Sequence, residues 1–162
     1  MSVCHLSECE LAEAHAPEDL AQVRRLFRAY ADWLEVDLCF QGFERELAEL
    51  PGCYAPPAGR LLIARVGGEV VGCVGLRPLA PGVCEMKRLW VEPGFGGRGI
   101  GRALAERIIA AAQEIGYARM RLDTIPDRMP AAQHLYASLG FREIPPYYDN
   151  PLAGVVMLEL EL

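Results

Sequence analysis

Apolar residues recur along the chain with helical spacing in some segments and with alternating spacing in others. Between Leu20 and Leu34 they come every three or four positions after Pro17, which predicts an amphipathic helix with proline in its first turn. The same criteria predict helices over residues 17–34, 42–50, 100–115 and 130–139. Short apolar or alternating runs predict strands over residues 6–14, 60–66, 69–77, 84–92, 118–124, 141–144 and 155–162.

The order of these segments indicates an α/β protein of the mixed α+β kind. Hairpins come first and strand–helix–strand units follow, so we expect a mixed sheet with helices on both faces. The proline- and glycine-rich stretch 51–59 is interpreted as a loop, because the 50 residues before it are too few for an independent core. One domain is therefore expected over residues 1–162.

Composition and charge exclude some classes of protein and of partner. With 52% hydrophobic residues, the 162-residue chain can bury a core and is not an intrinsically disordered protein. Its net charge of −6 argues against nucleic acid as a partner. The charge is uneven, since residues 87–102 carry a net +3 within this acidic chain. Lys87, the single lysine, lies in that basic stretch.

The N-terminus lacks the basic and apolar regions of a signal peptide, and no apolar run approaches the roughly 20 residues that cross a bilayer. A cytoplasmic protein with no membrane partner is therefore expected. The six cysteines, at positions 4, 9, 39, 53, 73 and 84, are expected to be reduced thiols. Cys4, His5 and Cys9 match no zinc spacing, so no metal site is expected.

The most informative segment is CEMKRLWVEPGFGGRGIGRAL, residues 84–104. A predicted strand runs into closely spaced glycines, and an amphipathic helix begins at once, an arrangement that suits a phosphate or pyrophosphate. The segment is also compatible with a plain turn. It is not a Walker A loop, because Ile100 follows Gly99 where lysine is required. A dinucleotide fingerprint matches at residues 94–99, but hairpins rather than strand–helix–strand units precede it.

The letters GGRGIG at residues 96–101 resemble motif A of the GNAT superfamily of N-acetyltransferases, Arg/Gln-x-x-Gly-x-Gly/Ala. The letters LYASLGF at residues 135–141 resemble the family's motif B, LYxxLGF. The predicted elements follow the family's order, so the resemblance covers about residues 5–162. It implies a mostly antiparallel sheet of about seven strands, splayed after the fourth. It also implies direct transfer of an acetyl group from acetyl-CoA to an amine, with no metal.

The resemblance assigns the binding of acetyl-CoA to the fourth predicted strand, the glycine loop and the start of the following helix. The residues expected there are Leu89, Trp90, Val91, Gly96, Gly97, Arg98, Gly99, Ile100, Gly101 and Arg102. Two positions depart from the family pattern. Gly96 replaces the usual arginine or glutamine, for which Arg98 or Arg102 can compensate, and Met129 replaces a frequent asparagine.

Two residues are candidates for acid–base chemistry. By its place in motif B, Tyr136 is expected to protonate the leaving thiolate, because a phenol can act as an acid toward a thiolate of pKa about 8.5. Glu85 lies on the strand that leads to motif A, 14 residues before Gly99, a placement that resembles the base glutamate of histone acetyltransferases of this superfamily. It is therefore expected to be the general base; the alternatives are a solvated carboxylate or an ion-pair partner of Lys87. Strict alternation along the strand predicts one face with Glu85, Lys87, Leu89 and Val91 and another with Met86, Arg88 and Trp90. A backbone N–H near Leu89 or Trp90 is expected to polarise the thioester oxygen.

The acceptor pocket is the least specified part of the site. By resemblance it is lined by the loop between the first helices and by the last hairpin, which nominates Phe40, Gln41, Tyr147, Tyr148 and Asn150. Arg77 and Lys87 are candidates for binding a carboxylate, so a small amino-acid-like amine is the expected acceptor. The alternatives are a non-catalytic acyl-CoA sensor and, on the dinucleotide fingerprint, a Rossmann-type oxidoreductase. A homodimer is a further expectation from the family.

Overall fold

The computed structural model describes residues 8–35, 37–38 and 41–162. Its strands are β1 (Cys9–Glu13), β2 (Arg60–Val66), β3 (Glu69–Ala80), β4 (Val83–Val91), β5 (Arg119–Thr124), β6 (Arg142–Ile144) and β7 (Val156–Glu161). Its helices are α1 (Pro17–Leu34), α2 (Phe43–Glu49), α3 (Ile100–Ile115) and α4 (Pro130–Leu139). The predicted elements are all found, with ends that differ by at most three residues in the described part. Residues 6 and 7 of the predicted first strand lie outside it.

The strands form one sheet in the order β1-β2-β3-β4-β5-β7-β6. Of the pairings in the described part, β4 with β5 is parallel and the other five are antiparallel. This confirms the mixed, mostly antiparallel sheet of seven strands. It also rules out the Rossmann-type alternative, which needs a mainly parallel sheet.

Helices cover both faces of the sheet, as predicted. On one face α3 and α4 pack through residues such as Leu104, Ile108 and Tyr136. On the other face α1 and α2 pack through residues such as Val23, Phe27 and Leu47. None of the helices in the described part of the chain has the length and apolar character needed to cross a membrane.

The sheet opens between its two central strands. β4 and β5 pair only at three positions, the last of which joins Glu85 to Arg121. β4 continues to Val91 and β5 to Thr124, so the two strands diverge beyond Glu85. The predicted splay after the fourth strand is confirmed, and it leaves a gap in the middle of the sheet.

A β-bulge in β4 changes which side chains share a face. Between the pairs Cys73–Trp90 and Gly75–Lys87, one residue of β3 faces two of β4, and Arg88 has a φ of 61°. Beyond the bulge, Trp90 packs in the α1–α2 layer, whereas Leu89 and Val91 pack in the α3–α4 layer. The predicted alternation of β4 was therefore wrong, because it placed Leu89 and Val91 on the face of Glu85 and Lys87.

Candidate active site

The glycine loop presents open backbone at the start of α3. Gly97 and Gly99 have φ values of 74° and 80°, a left-handed conformation that glycine adopts without strain, and Gly99 caps the helix. A Cβ at Gly97 would meet no atom within 4 Å, so the surface above the loop is clear. The first N–H groups of α3 have no partner within the helix and lie at the positive end of its dipole. These features fit a pyrophosphate group such as that of acetyl-CoA.

Two exposed arginines flank this loop. The Arg98 guanidinium lies 5.1 Å from the centre of the Phe95 ring. Arg102, the third residue of α3, lies in the first turn of that helix and donates to the Ser138 hydroxyl at 2.6 Å. The other two basic residues of the 87–102 stretch, Lys87 and Arg88, are buried and paired elsewhere. The positive charge at the loop therefore comes from Arg98 and Arg102, and not from the whole +3 stretch.

A cavity of about 40 Å³ fills the opening between β4 and β5. We call it the inner cavity; its walls include Met86, Lys87, Leu89, Asp123, Met129 and Tyr136. Of the two predicted oxyanion positions, Leu89 lines the inner cavity. The Trp90 ring instead packs against Tyr30 and Trp33 in the other layer, at 6.1 and 5.5 Å between ring centres. Leu89 therefore has the better placement for a backbone N–H directed at a thioester.

Tyr136 is anchored by the packing of α4. Its side chain is 5% exposed, and its ring meets Phe141 edge-on with centres 5.6 Å apart. Burial raises the pKa of the Tyr136 phenol above its usual range, since the charged form would lose solvation. The hydroxyl group thus stays protonated at the wall of the inner cavity.

Glu85 is buried, and its carboxylate oxygens each have a hydrogen-bond donor. Arg77, its cross-strand neighbour on β3, donates from Nε to Oε1 at 2.8 Å. Tyr147 donates from its hydroxyl to Oε2 at 2.5 Å. The Glu85 side chain is 1% exposed, so the alternative of a solvated carboxylate was wrong. Its ion-pair partner is Arg77 and not Lys87.

Lys87 pairs instead with Asp123 on β5. The Nζ–Oδ1 distance is 3.4 Å, and the Lys87 side chain is 4% exposed. Burial lowers the pKa of Lys87, although the charge of Asp123 opposes that shift. Burial alone would raise the pKa of Asp123, but Lys87 and a hydrogen bond from Tyr148 hold it below its usual range. The pair spans the opening between the two strands.

A second cavity, which we call the outer pocket, adjoins the inner one. Its volume is about 270 Å³, and its walls include Gln41, Arg77, Glu85, Lys87, Tyr147 and Tyr148. Gln41 and Lys87 line both cavities and so form the wall between them. The structure thus brings five predicted acceptor residues into one pocket, while Asn150 lines the inner cavity. Phe40 lies outside the described residues, as do Cys4, His5 and Cys39.

Sequence reasoning missed Asp123 as a site residue. In the structure it accepts hydrogen bonds from Tyr148 at 2.6 Å and Asn150 at 3.3 Å, in addition to Lys87. The register of the parallel strands β4 and β5 could have revealed it. Glu85 pairs with Arg121, so Lys87 and Asp123, each two residues further along its strand, lie near each other. That register depends on strand order, which the chain pattern alone does not give.

Comparison with known proteins agrees with this geometry. Residues 20–141 match the model of the acetyltransferase (GNAT) family. The chain is 39% identical to an uncharacterized N-acetyltransferase of Schizosaccharomyces pombe, over 96% of each sequence. It is 34% identical to the N-acetylaspartate synthetase of Danio rerio, over 72% of this chain and 42% of that protein.

Solved structures show the same fold. A crystal structure of an acetyltransferase from Streptococcus agalactiae matches with a TM-score of 0.79 at 22% identity, over 96% of this chain and 99% of that one. A GNAT family acetyltransferase from Elizabethkingia anophelis, solved with acetyl-CoA bound, matches with a TM-score of 0.65 at 21% identity, over 96% and 99%. This chain belongs to the GNAT family of acetyltransferases, and it is an acyltransferase of a family that uses acetyl-CoA.

Proposed function

We propose that this enzyme transfers an acetyl group from acetyl-CoA to the primary amine of a small, amino-acid-like molecule. The observation that carries the proposal is the inner cavity, which is lined by Leu89 and Tyr136 together with the polar pair Lys87 and Asp123. Four consecutive residues of β4, Met86 to Leu89, line the cavity, and β4 runs on from there toward the glycine loop. The cavity also shares a wall with the outer pocket, from which an acceptor can approach.

Acetyl-CoA supplies an acyl group activated as a thioester. Its pyrophosphate would be held by the backbone of Gly97, Gly99 and Gly101 and by the charges of Arg98 and Arg102. The backbone of Leu89 and its neighbours Trp90 and Val91 would hold the arm that leads into the opening of the sheet. Gly96 offers no side-chain contact, so backbone contacts dominate in this binding site. Ile100 anchors the start of α3 by its burial.

Tyr136 acts as the general acid in this proposal. Its phenol is protonated because burial raises its pKa, and it lies at the same cavity wall as Leu89. A neutral phenol can donate its proton to the departing thiolate, and the second proton that the nitrogen loses as it becomes an amide replaces the one that Tyr136 gives up. The backbone N–H of Leu89 would stabilise the negative charge that forms on the thioester oxygen when the amine attacks the acyl carbon.

Glu85 acts as the general base through Tyr147. An alkylamine is almost wholly protonated near neutral pH, so it must lose a proton before it can attack. Glu85 lines the outer pocket, and the Tyr147 hydroxyl occupies its Oε2 atom at 2.5 Å. The acceptor amine would therefore give its proton to the Tyr147 oxygen as that hydroxyl passes its own proton to Glu85.

The polarity of the outer pocket supports an acceptor that carries a carboxylate. Arg77 and Lys87 both line it and offer donors for an anionic group. The match to an N-acetylaspartate synthetase, whose name states an amino acid product, supports the same class. Polyamines and aminoglycosides carry no carboxylate and would leave these cations unused.

An acceptor screen tests the proposal. Purified enzyme with acetyl-CoA is assayed for thiol release against amino acids, polyamines, aminoglycosides and a lysine-containing peptide. Amino-acid-like amines are expected to give the highest kcat/KM. A screen in which only carboxylate-free amines or the peptide react would refute the assignment of the acceptor.

A further inference from the structure

Two ion pairs lie next to each other along β4, at positions two residues apart. Glu85 pairs with Arg77, and Lys87 pairs with Asp123. Consecutive tyrosines of the β6–β7 connection donate to the two carboxylates, Tyr147 to the first and Tyr148 to the second. The two pairs are nevertheless unequal in geometry, and the difference decides which of them can receive a ligand.

In the Arg77–Glu85 pair, both carboxylate oxygens of Glu85 already accept hydrogen bonds. Its two shortest contacts, from Arg77 Nε and one terminal nitrogen to Glu85 Oε1, are 2.8 and 2.7 Å. The other carboxylate oxygen accepts the short hydrogen bond from Tyr147. The charge and both oxygens of Glu85 are thus matched within this group, so a ligand reaches its carboxylate only through the Tyr147 hydroxyl.

The Lys87–Asp123 pair leaves some of its hydrogen-bonding capacity unused. Within the described part of the chain, Lys87 alone reaches Asp123 Oδ1, at 3.4 Å, whereas Tyr148, Asn150 and Gln41 all reach Oδ2. The ammonium group of Lys87 has three protons, and within the described residues it donates to Asp123 and to the Gln41 oxygen, the latter at 3.2 Å. Both ions therefore keep hydrogen-bonding capacity although each is largely buried.

The location of this pair is equally specific. Asp123 lines the inner cavity with Tyr136 and Leu89, and Lys87 lines both the inner cavity and the outer pocket. A molecule that enters from the outer pocket meets Lys87 first and Asp123 next, beside the place where the acyl group would react. Buried ions with unmet hydrogen bonds favour a ligand that supplies the complementary charges.

We infer that Lys87 and Asp123 form the recognition site for a zwitterionic α-amino acid acceptor, with its carboxylate at Lys87 and its amine at Asp123. An α-amino acid carries these opposite groups on one carbon, a separation comparable with the 3.4 Å between the two ions. In this orientation the acceptor lies at the wall shared by the two cavities, with its amine between Asp123 and the Tyr147–Glu85 pair that receives its proton. The inference rests on the proposed function and specifies its acceptor more narrowly.

The test compares each standard L-amino acid with its amide, which keeps the amine and side chain but lacks the carboxylate. For the wild-type enzyme, kcat/KM for the best amino acid should exceed that for its amide by about 10- to 100-fold, as expected for a hydrogen-bonded charge. Lys87→Met should abolish this preference by lowering only the value for the amino acid. Asp123→Asn should lower both values, while KM for acetyl-CoA stays unchanged in each variant.

Lys87→Arg keeps the charge and should keep the preference, which separates loss of recognition from loss of packing. A measurement without variants guards against misfolding of Lys87→Met. The α-hydroxy acid with the same side chain should compete with the acceptor, and the corresponding carboxylate-free alcohol should not.

The recognition site would be overturned if the amino acid and its amide had equal kcat/KM values, or if Lys87→Met lowered both values equally. Neither result would contradict the acetylation of amino acids itself. If amines of every class fail as acceptors, the proposed function fails and the inference fails with it.

Discussion

The hydroxyl of Tyr147 lies 2.5 Å from Oε2 of Glu85, and both residues line the outer pocket. The Tyr147 ring is held in turn by Arg121, whose guanidinium carbon is 5.4 Å from its centre. A residue of the β6–β7 connection thus completes the environment of the candidate base on β4. The proton that leaves the acceptor amine would therefore pass through two residues, Tyr147 and then Glu85.

Replacing either of these residues should slow proton removal from the acceptor. Glu85→Gln is expected to lower kcat about 100-fold or more, the usual range for loss of a general base. Tyr147→Phe should also lower kcat, because it interrupts the path to Glu85. Steady-state thiol release at saturating acceptor measures both. The control is Glu143→Gln, which replaces an exposed carboxylate and should leave kcat unchanged. If Glu85→Gln kept the wild-type kcat, Glu85 would have no part in the mechanism.

The second prediction concerns the general acid. Tyr136→Phe should lower kcat by about 100-fold or more while acetyl-CoA binds as before, because only the proton donor is lost. Tyr117→Phe is a matched control, since its hydroxyl donates to the Ala58 carbonyl on the protein surface. Unchanged turnover in Tyr136→Phe would exclude Tyr136 as the acid.

The pH dependence of the same variants gives an independent test. Ionisation of Tyr136 would remove its donor and lower the rate at high pH. Burial raises the pKa of Tyr136, so this loss should not occur below about pH 10, the ordinary value for tyrosine. The ratio of the wild-type kcat to the kcat of Tyr136→Phe is therefore expected to stay constant from neutral pH to about pH 10. A ratio that falls with a midpoint near pH 8 would contradict the assignment.

The third prediction concerns the glycine loop. Gly99→Ala should raise KM for acetyl-CoA, because φ of 80° is strained for alanine and the start of α3 would shift. Gly67→Ala imposes comparable strain at φ of 58°, in the turn between β2 and β3 and away from the loop. Both variants are expected to lose stability by about 1 kcal/mol, but only Gly99→Ala should weaken acetyl-CoA binding. Equal KM values for acetyl-CoA in the two variants would show that the loop does not hold it.

The fourth prediction concerns the β-bulge. Arg88 occupies the left-handed region and binds Glu46 of α2 at 3.0 Å, with both side chains less than a tenth exposed. Glu46→Gln leaves the Arg88 charge buried without its partner and should lower the free energy of unfolding by about 3 kcal/mol. Urea denaturation measures this loss. The exposed Arg45–Glu49 pair offers the control Glu49→Gln, which should change little.

Much of the fold could be predicted because local chemistry marks the ends of its elements. Helix α3 ends where Gly116 takes a φ of 105°, and α4 ends where Gly140 takes a φ of 98°, as the glycines indicated. The glycine loop and Tyr136 could likewise be located from short motifs. Residues close in sequence determine all of these features.

Other features depend on which strands become neighbours. Arg77 pairs with Glu85 because the β3–β4 hairpin places them opposite each other, and Lys87 pairs with Asp123 because β4 and β5 run parallel. The bulge at Arg88 was also invisible to an alternating pattern, since one extra residue reverses every later side chain. The partners of Glu85 and Lys87 therefore required the register as well as the sequence.

The most direct test of the account follows amine-dependent thiol release from acetyl-CoA and identifies the acceptor product by mass spectrometry. We expect that thiol release requires an amino-acid-like amine, that each thiol released matches one N-acetylated acceptor, and that Tyr136→Phe slows both together. If acetyl-CoA binds but amines of every class tested leave the rate of thiol release unchanged, the protein would be an acyl-CoA sensor and the central claim would be wrong.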